Sequence, residues 1–462
     1  MRFLTKLILN ISVLVLLAGG AQSLAQTVYV NQRRCDEGDG TSARPYRTLS
    51  RAVDNAPDGS TLVIQAGSYP EKDRLPLLIG KSGKRLTIEV AGGPVEVGRV
   101  YTEQIAQLTG NSDPEGKPHI NDTVPWGVSG VDLGANTEHC DKDGQNCKLY
   151  IFFGDVPDAG DGDLIAYTED TNPEPNGFKL TPVLRGGNSG SFYPFTFRAL
   201  DGTLVTTGTN ETPTGAFSYD GKAYVFCYTS DQRSHLTVSG DPSQPNPFDE
   251  LFVLSSKFFQ VAPLVVKNAE IPGLPANPGH VDGLIMFGHG VSECQGSDCA
   301  FGVQLAWMPL PPDKSQVLYY KGGSDLGNQW SPNEQEAKTL FSTEKRYWTS
   351  LSVGRIPGTG QWVLLYQRTL SEIGQDQPIV ARTGALPWEL SDEIEVFNPY
   401  REGAYGRYMF GCPEPAFAYG AYLLNRYTRW NAAEQKATIY YLMSTWAPYQ
   451  VQLMRSVIKI VK

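Results

Sequence analysis

The stretch Lys148–Asp155, KLYIFFGD, runs through five apolar or aromatic residues and then stops on a glycine and a carboxylate. A strand that is apolar at every position, not every second one, is buried on both faces. Four further runs of this kind follow: KAYVFCYT (222–229), GLIMFGHG (283–290), QWVLLYQR (361–368) and TIYYLMST (438–445). They start roughly 60 to 80 residues apart, the spacing of a repeat of about four strands. A short strand-like segment precedes several of them (SGVDLG, PTGAFS, TSLSVGRI, AFAYGAYLL). A partner segment follows each (LIAYTED, HLTVSGD, VQLAWMP, PIVARTG, VQLMRSV). This order predicts one propeller blade per copy and five blades between residues 122 and 462. A large β-sandwich would also contain apolar runs, but it gives no reason for the same order five times.

Composition agrees with an all-β chain. Of 462 residues 48 are Gly and 32 Pro, aromatics reach 11% and charged residues only 19%, a turn-rich and strand-rich mix. The formal net charge of -10, without a basic run, argues against nucleic acid or an anionic membrane as partner. A neutral polysaccharide or oligosaccharide fits better. Residues 1–25 begin with Arg2 and Lys6, continue through LILNISVLVLL and end on small residues, the layout of a secretory signal peptide. The apolar run is shorter than the roughly 20 residues a membrane-spanning helix needs. A secreted or periplasmic location without membrane insertion is therefore expected. Cys140 and Cys147 flank CDKDGQNC, and Cys294 and Cys299 flank CQGSDC; in an oxidising compartment each pair is expected to close a local disulfide. Cys35, Cys227 and Cys412 leave an odd thiol.

Residues 27–98 read differently. TVYVNQ, DGTSARPYRTLSRAV and DGSTLVIQAGSY give a strand, a Gly-rich turn, a helix and a second strand. They resemble the first coil of pectate-lyase-type right-handed β-helices, which implies a short β-helix-like accessory module in front of the propeller. Residues 99–121 read as a linker.

Chemistry is sought where apolar strands end on acids. Asp155 ends its run, and Asp132 in SGVDLG is expected on the preceding strand of the same blade. Adjacent strands lie about 4.8 Å apart, so the two carboxyls can share a pocket. A carboxylate pair flanking a sugar is what glycoside hydrolysis requires. Glu211 before the second blade's strands, and His280 with Asp282 in GHVDGLIMFGHG, are further candidates for binding substrate. Tyr193, Tyr405 and Trp446 fall near blade ends and offer flat apolar faces to sugar rings. No cofactor motif is present; a central cation held by histidines is the one metal site left open. GNSGS (187–191) lacks the strand-to-helix elbow that a serine nucleophile of that type needs.

GVSGVDLGANTEH with KLYIFFGDV, ETPTGAF with GKAYVFCY, QWVLLYQ, ALPWELSDEI and YYLMSTWAPYQVQLMR are together similar to a bacterial propeller family long of unknown function and related to endo-D-arabinanases. The likeness spans about 120 to 460. It implies a five-bladed propeller glycosidase whose first blade carries the catalytic pair, here Asp132 and Asp155. Val156 stands where the family often has Thr, and the cysteine-closed loop enlarges the hairpin between the two acids. Two function classes follow: a secreted hydrolase of furanoside-type (arabinan-like) or related linkages, and a non-catalytic propeller that binds glycan or protein.

Overall fold

The computed structural model describes residues 26–31, 38–46, 48–69, 82–97, 100–113, 119–157, 162–186, 190–208, 211–255, 257–275, 281–290, 301–325, 328–343, 350–368, 378–397, 418–446 and 448–460. Among them lie five mainly antiparallel sheets and one small parallel sheet. The five sheets are the blades of a five-bladed β-propeller, and their first strands surround a central channel.

Blade one contains Ala135–His139, Lys148–Val156, Gly162–Thr168 and Thr181–Pro182. Blade two starts with Thr212–Tyr219 and Lys222–Tyr228, blade three with Gln260–Lys267 and Asp282–His289. Blade four starts with Leu351–Arg355 and Trp362–Gln367, and blade five with Ala418–Leu423 and Lys436–Thr445. Each of the five apolar runs is thus the second strand of its blade. Ile151, Phe152 and Phe153 are fully buried, as are Val225, Phe226, Met286, Phe287, Leu364, Leu365, Tyr441 and Leu442. Each large side chain so enclosed stabilises the fold by roughly 1.5–3 kcal/mol, which is why these strands tolerate no polar alternation.

Two expectations are corrected here. Asp132 does not lie on a strand: the first strand of blade one begins only at Ala135. Leu133 has a φ of 57° and Gly134 one of 152°, and neither fits an extended ladder. Position 134 is restricted to glycine, because a Cβ there would lie 2.4 Å from Leu442 Cδ1. The span 99–121 is also more than a linker. Val100–Gln107 pairs antiparallel with Gln450–Lys459, Val100 opposite Ile458 and Gln107 opposite Gln452, and so supplies the outer strand of blade five. Buried amides fix this closure: Gln104 Nε2 donates to Gln452 Oε1 (2.7 Å) and Gln452 Nε2 to Gln107 Oε1 (3.4 Å).

The parallel sheet comprises Thr27–Val30, Thr61–Tyr69 and Thr87–Val97, in that order. Helix Leu49–Asn55 is capped by Thr48, whose side chain accepts from Arg51 N–H (3.2 Å). It buries Leu49, Ala52 and Val53 against Val28, Val30, Leu62 and Ile64.

Cys140 and Cys147 form a disulfide across the blade-one hairpin, and Cys227 is a buried free thiol. Cys35, Cys294, Cys299 and Cys412 lie outside the described residues, as do residues 1–25.

Candidate active site

The channel has two distinct ends. His139 pairs with Lys148 and Lys267 with Asp282 at the disulfide end; Gln260 pairs with His289 at the other, where Asp155 finishes its strand. The inner strands enclose a cavity of about 340 Å³ lined by Asn136, Thr214, Ser352 and Tyr422, among others.

Asp155 is aimed by a β-bulge. Phe152 pairs with Ile165, but the next pair is Asp155 with Asp163, so Phe153 and Gly154 together face Leu164 alone. A bulge of this kind re-aims the side chain beyond it. Asp155 is half-buried, and register partners carry their side chains on one face, so Asp163 lies beneath the same face. Asp163 has no exposed surface, and neither of its carboxyl oxygens has a hydrogen-bond partner among the described residues. Burial holds its carboxyl well above the usual carboxylate range; the Thr207 hydroxyl opposes this, and the charges of Asp155, Asp132 and Glu211 add to it. The Thr207 proton is itself directed to Phe195 O (3.1 Å).

Asp132 sits at the seam of blades one and five. Its carbonyl accepts from Gly154 N–H (2.8 Å), Leu133 N–H donates to Ser444 Oγ (2.7 Å), and Val131 N–H donates to Tyr449 O (3.1 Å). The Tyr419 hydroxyl donates to Asp132 Oδ2 (2.8 Å). Oδ1 is enclosed against Gly154, on which a Cβ would fall 2.3 Å away. Asp132 is only 7% exposed. Burial pushes its carboxyl up to about 7; the hydroxyls of Tyr449 and Tyr419 and the Asp155 N–H pull the other way, while the Asp155 charge adds to the rise.

An aromatic wall stands over Asp132. Trp446 is 62% exposed, meets Tyr449 edge-on with centroids 5.8 Å apart and lies 6.5 Å from Tyr419. Sequence reasoning named Trp446 but missed Tyr419 and Asp163. The signal for Asp163 was a further Gly-Asp step, Gly162–Asp163, opening the strand that follows FGD.

The other candidates are dispersed. Glu211 couples electrostatically to Asp163 and is held by Ser230 N–H, which donates to its Oε1 (2.7 Å). Tyr193 packs on the core of blade one, and its hydroxyl pairs with Thr196 Oγ1 (3.1 Å). Asp282 is separated from the acids: it opens its strand at the disulfide end and pairs with Lys267 Nζ (2.6 Å). His280 and Tyr405 lie outside the described residues. His289 takes the place in blade three that Asp155 takes in blade one, and its Nδ1 lies 3.2 Å from Gly290 O. Among the described residues the one close trio of ligating side chains is Glu138, Cys140 and Cys147, whose sulfurs are spent in the disulfide.

Fold and site together define a five-bladed propeller with an enclosed carboxyl, a half-buried carboxyl beside it and an aromatic wall at one channel end. No protein-family profile matches the chain. No curated protein matches it either. Among solved structures it is similar to an α-L-arabinofuranosidase of Clostridium thermocellum, with 10% identity over 74% of this chain and 99% of that one and a TM-score of 0.36. It is also similar to a GH62 hydrolase in complex with xylotriose (9% identity, 78% and 98% covered, TM-score 0.39) and to an α-L-arabinanase of Cellvibrio cellulosa (11%, 70% and 90%, TM-score 0.34). At these scores the overlap fixes neither substrate nor reaction for this chain.

Proposed function

We propose that this chain is an exported glycoside hydrolase that cleaves furanoside-type, arabinan-like or related polysaccharide linkages with Asp132 and Asp155. The observation that carries this reading is the contrast between two neighbouring acids. Asp132 is enclosed and its carboxyl is pushed up to about 7, whereas Asp155 beside it is half-buried at a bulge. Two carboxyls in unlike surroundings divide acid and base roles: the desolvated one holds its proton more tightly and serves as the acid, which leaves the more hydrated one as the base. Asp132 is then the proton source for the leaving oxygen. Asp155 activates water or attacks the anomeric carbon. Trp446, with Tyr449 and Tyr419 beside it, gives a sugar ring an apolar face to stack on. Export rests on the leader-like pattern of residues 1–25.

The test is release of oligosaccharides from arabinans, arabinogalactans and other bacterial and plant polysaccharides. Wild type is run beside Asp132→Asn and Asp155→Asn, with folding checked by circular dichroism. Product release by wild type that falls steeply in both folded variants supports the hydrolase. Retained glycan binding with no release from any polysaccharide would make the protein a lectin-like propeller and retire the reading.

A further inference from the structure

Asp132 is poorly placed to touch a glycan directly. It is 7% exposed, and its Oδ1 is enclosed against Gly154. Its other oxygen, Oδ2, faces the Tyr419 hydroxyl at 2.8 Å. Tyr419 is part-exposed and stands beside exposed Trp446, the aromatic face at this channel end. Tyr419 therefore touches the enclosed acid through its hydroxyl and the exposed indole through its ring.

We infer that Tyr419 is the group that touches the leaving oxygen, and that Asp132 delivers its proton through the Tyr419 hydroxyl. This rests on the hydrolase reading above. As the glycosidic C–O bond breaks, the leaving oxygen takes the Tyr419 hydroxyl proton. With Asp132 protonated the 2.8 Å hydrogen bond reverses, Oδ2–H donating to Tyr419 Oη, and Tyr419 Oη takes that proton in the same step. Asp132 is left as the carboxylate and Tyr419 stays neutral. The water that adds to the anomeric carbon gives its proton to Asp155, which then releases it to solvent while solvent reprotonates Asp132. Burial above all holds the Tyr419 hydroxyl well above its ordinary range, so a free phenolate is costly and the two transfers are coupled. Tyr449, which neighbours both groups, orients the pair from the other side.

The experiment uses the full chain with arabinan as the first probe, and then whichever polysaccharide of the panel wild type cleaves. Tyr419→Phe keeps the ring, and its fold is checked by thermal melting. The expected result is a kcat lowered by roughly 100-fold, the scale of general acid catalysis, with KM little changed. The double variant with Asp132→Asn is expected to be no slower than Asp132→Asn alone, because both lie on one proton path. In H2O/D2O mixtures the wild-type rate should fall along a curve that reports two protons in flight. Wild-type activity with near-normal kcat in Tyr419→Phe, or losses that multiply in the double variant, would overturn the relay while leaving the hydrolase standing. A wild type that cleaves no polysaccharide would overturn the hydrolase reading itself, a separate and recognisable outcome.

Discussion

Asp155 and Asp163 face each other across adjacent strands, paired in register just beyond the bulge at Phe153 and Gly154. Like charges directly opposite on a sheet repel, and here one of the two has no exposed surface. The enclosed Asp163 is therefore the one that holds a proton, as the direction of its shift indicates.

That arrangement sets how stability depends on pH. Asp132 and Asp163 both bind protons more tightly in the fold than in the unfolded chain. Their stabilisation is complete below the unfolded carboxylate range and is lost as pH rises through the folded values. For Asp132, raised from 3.8 to about 7, the loss falls between about pH 4 and pH 7 and is on the order of a few kcal/mol. Asp163→Asn, neutral at every pH, should resist urea as wild type does below about pH 4 and exceed wild type by a growing margin as pH rises to 8. Equal urea midpoints at pH 8 would show that Asp163 is charged and satisfied.

Gly154 is predicted to be irreplaceable. A Cβ there would lie 2.3 Å from Asp132 Oδ1 and 2.9 Å from Leu133 Cδ1, both held in place by the seam with blade five. Gly154→Ala should cost about 1–3 kcal/mol from overpacking and remove activity by displacing Asp132. Gly240→Ala, where a Cβ meets nothing within 4 Å, is the control expected to change neither. Thermal melts and product release on both variants check this.

The closure of the ring gives a third prediction. Gln452→Ala removes the acceptor of Gln104 Nε2 and the donor to Gln107 Oε1, at a cost of about 1–3 kcal/mol for each bond lost from a buried group. Replacing Gln104 and Gln452 together by Leu should cost less, because both ends of the 2.7 Å bond go at once and only Gln107 Oε1 loses a donor. Urea unfolding of the two variants separates the outcomes; equal losses would assign the effect to packing alone.

This closure also marks where the sequence stopped being legible. The five apolar runs identified the second strand of every blade, because burial on both faces leaves a pattern that needs no partner to be seen. VYTEQIAQ (100–107) has no such pattern: its Gln and Thr side chains bond to a strand some 350 residues later, a relationship that local periodicity cannot carry. Asp163 escaped notice for a similar reason, since its meaning comes from the bulge that sets it opposite Asp155. Asp282 was grouped with the acids although it opens its strand while Asp155 ends one. Corresponding strands of successive blades run the same way, so start and end lie at opposite channel ends, an inference the sequence already allowed.

The disulfide belongs to that opposite end. Cys140 and Cys147 close a seven-residue separation beside Glu138 and Asp282, away from Asp132. Cys140→Ser with Cys147→Ser should lower stability by about 2 kcal/mol, the loop-entropy scale for so short a closure. Product release at a temperature where the variant stays folded should match wild type. A variant that is folded but inactive would tie the hairpin to the chemistry and count against a site confined to the Asp132 end.

Trp446 separates binding from folding most cleanly. At 62% exposure its ring contributes little to the core, and its neighbours Tyr449 and Tyr419 are anchored by their own links to Asp132. Trp446→Ala should therefore melt close to wild type. If sugar stacks on this ring, the lost contact is worth about 1 kcal/mol, roughly a fivefold rise in KM, with kcat changed much less. The opposite split, an unchanged KM and a fallen kcat, would mean that the ring acts on Asp132 through Tyr419 and not on the sugar. Steady-state kinetics on the polysaccharide that wild type cleaves decides between them. Melting well below wild type would assign Trp446 to packing after all, because a solvent-facing indole has no other means of stabilising the blade seam.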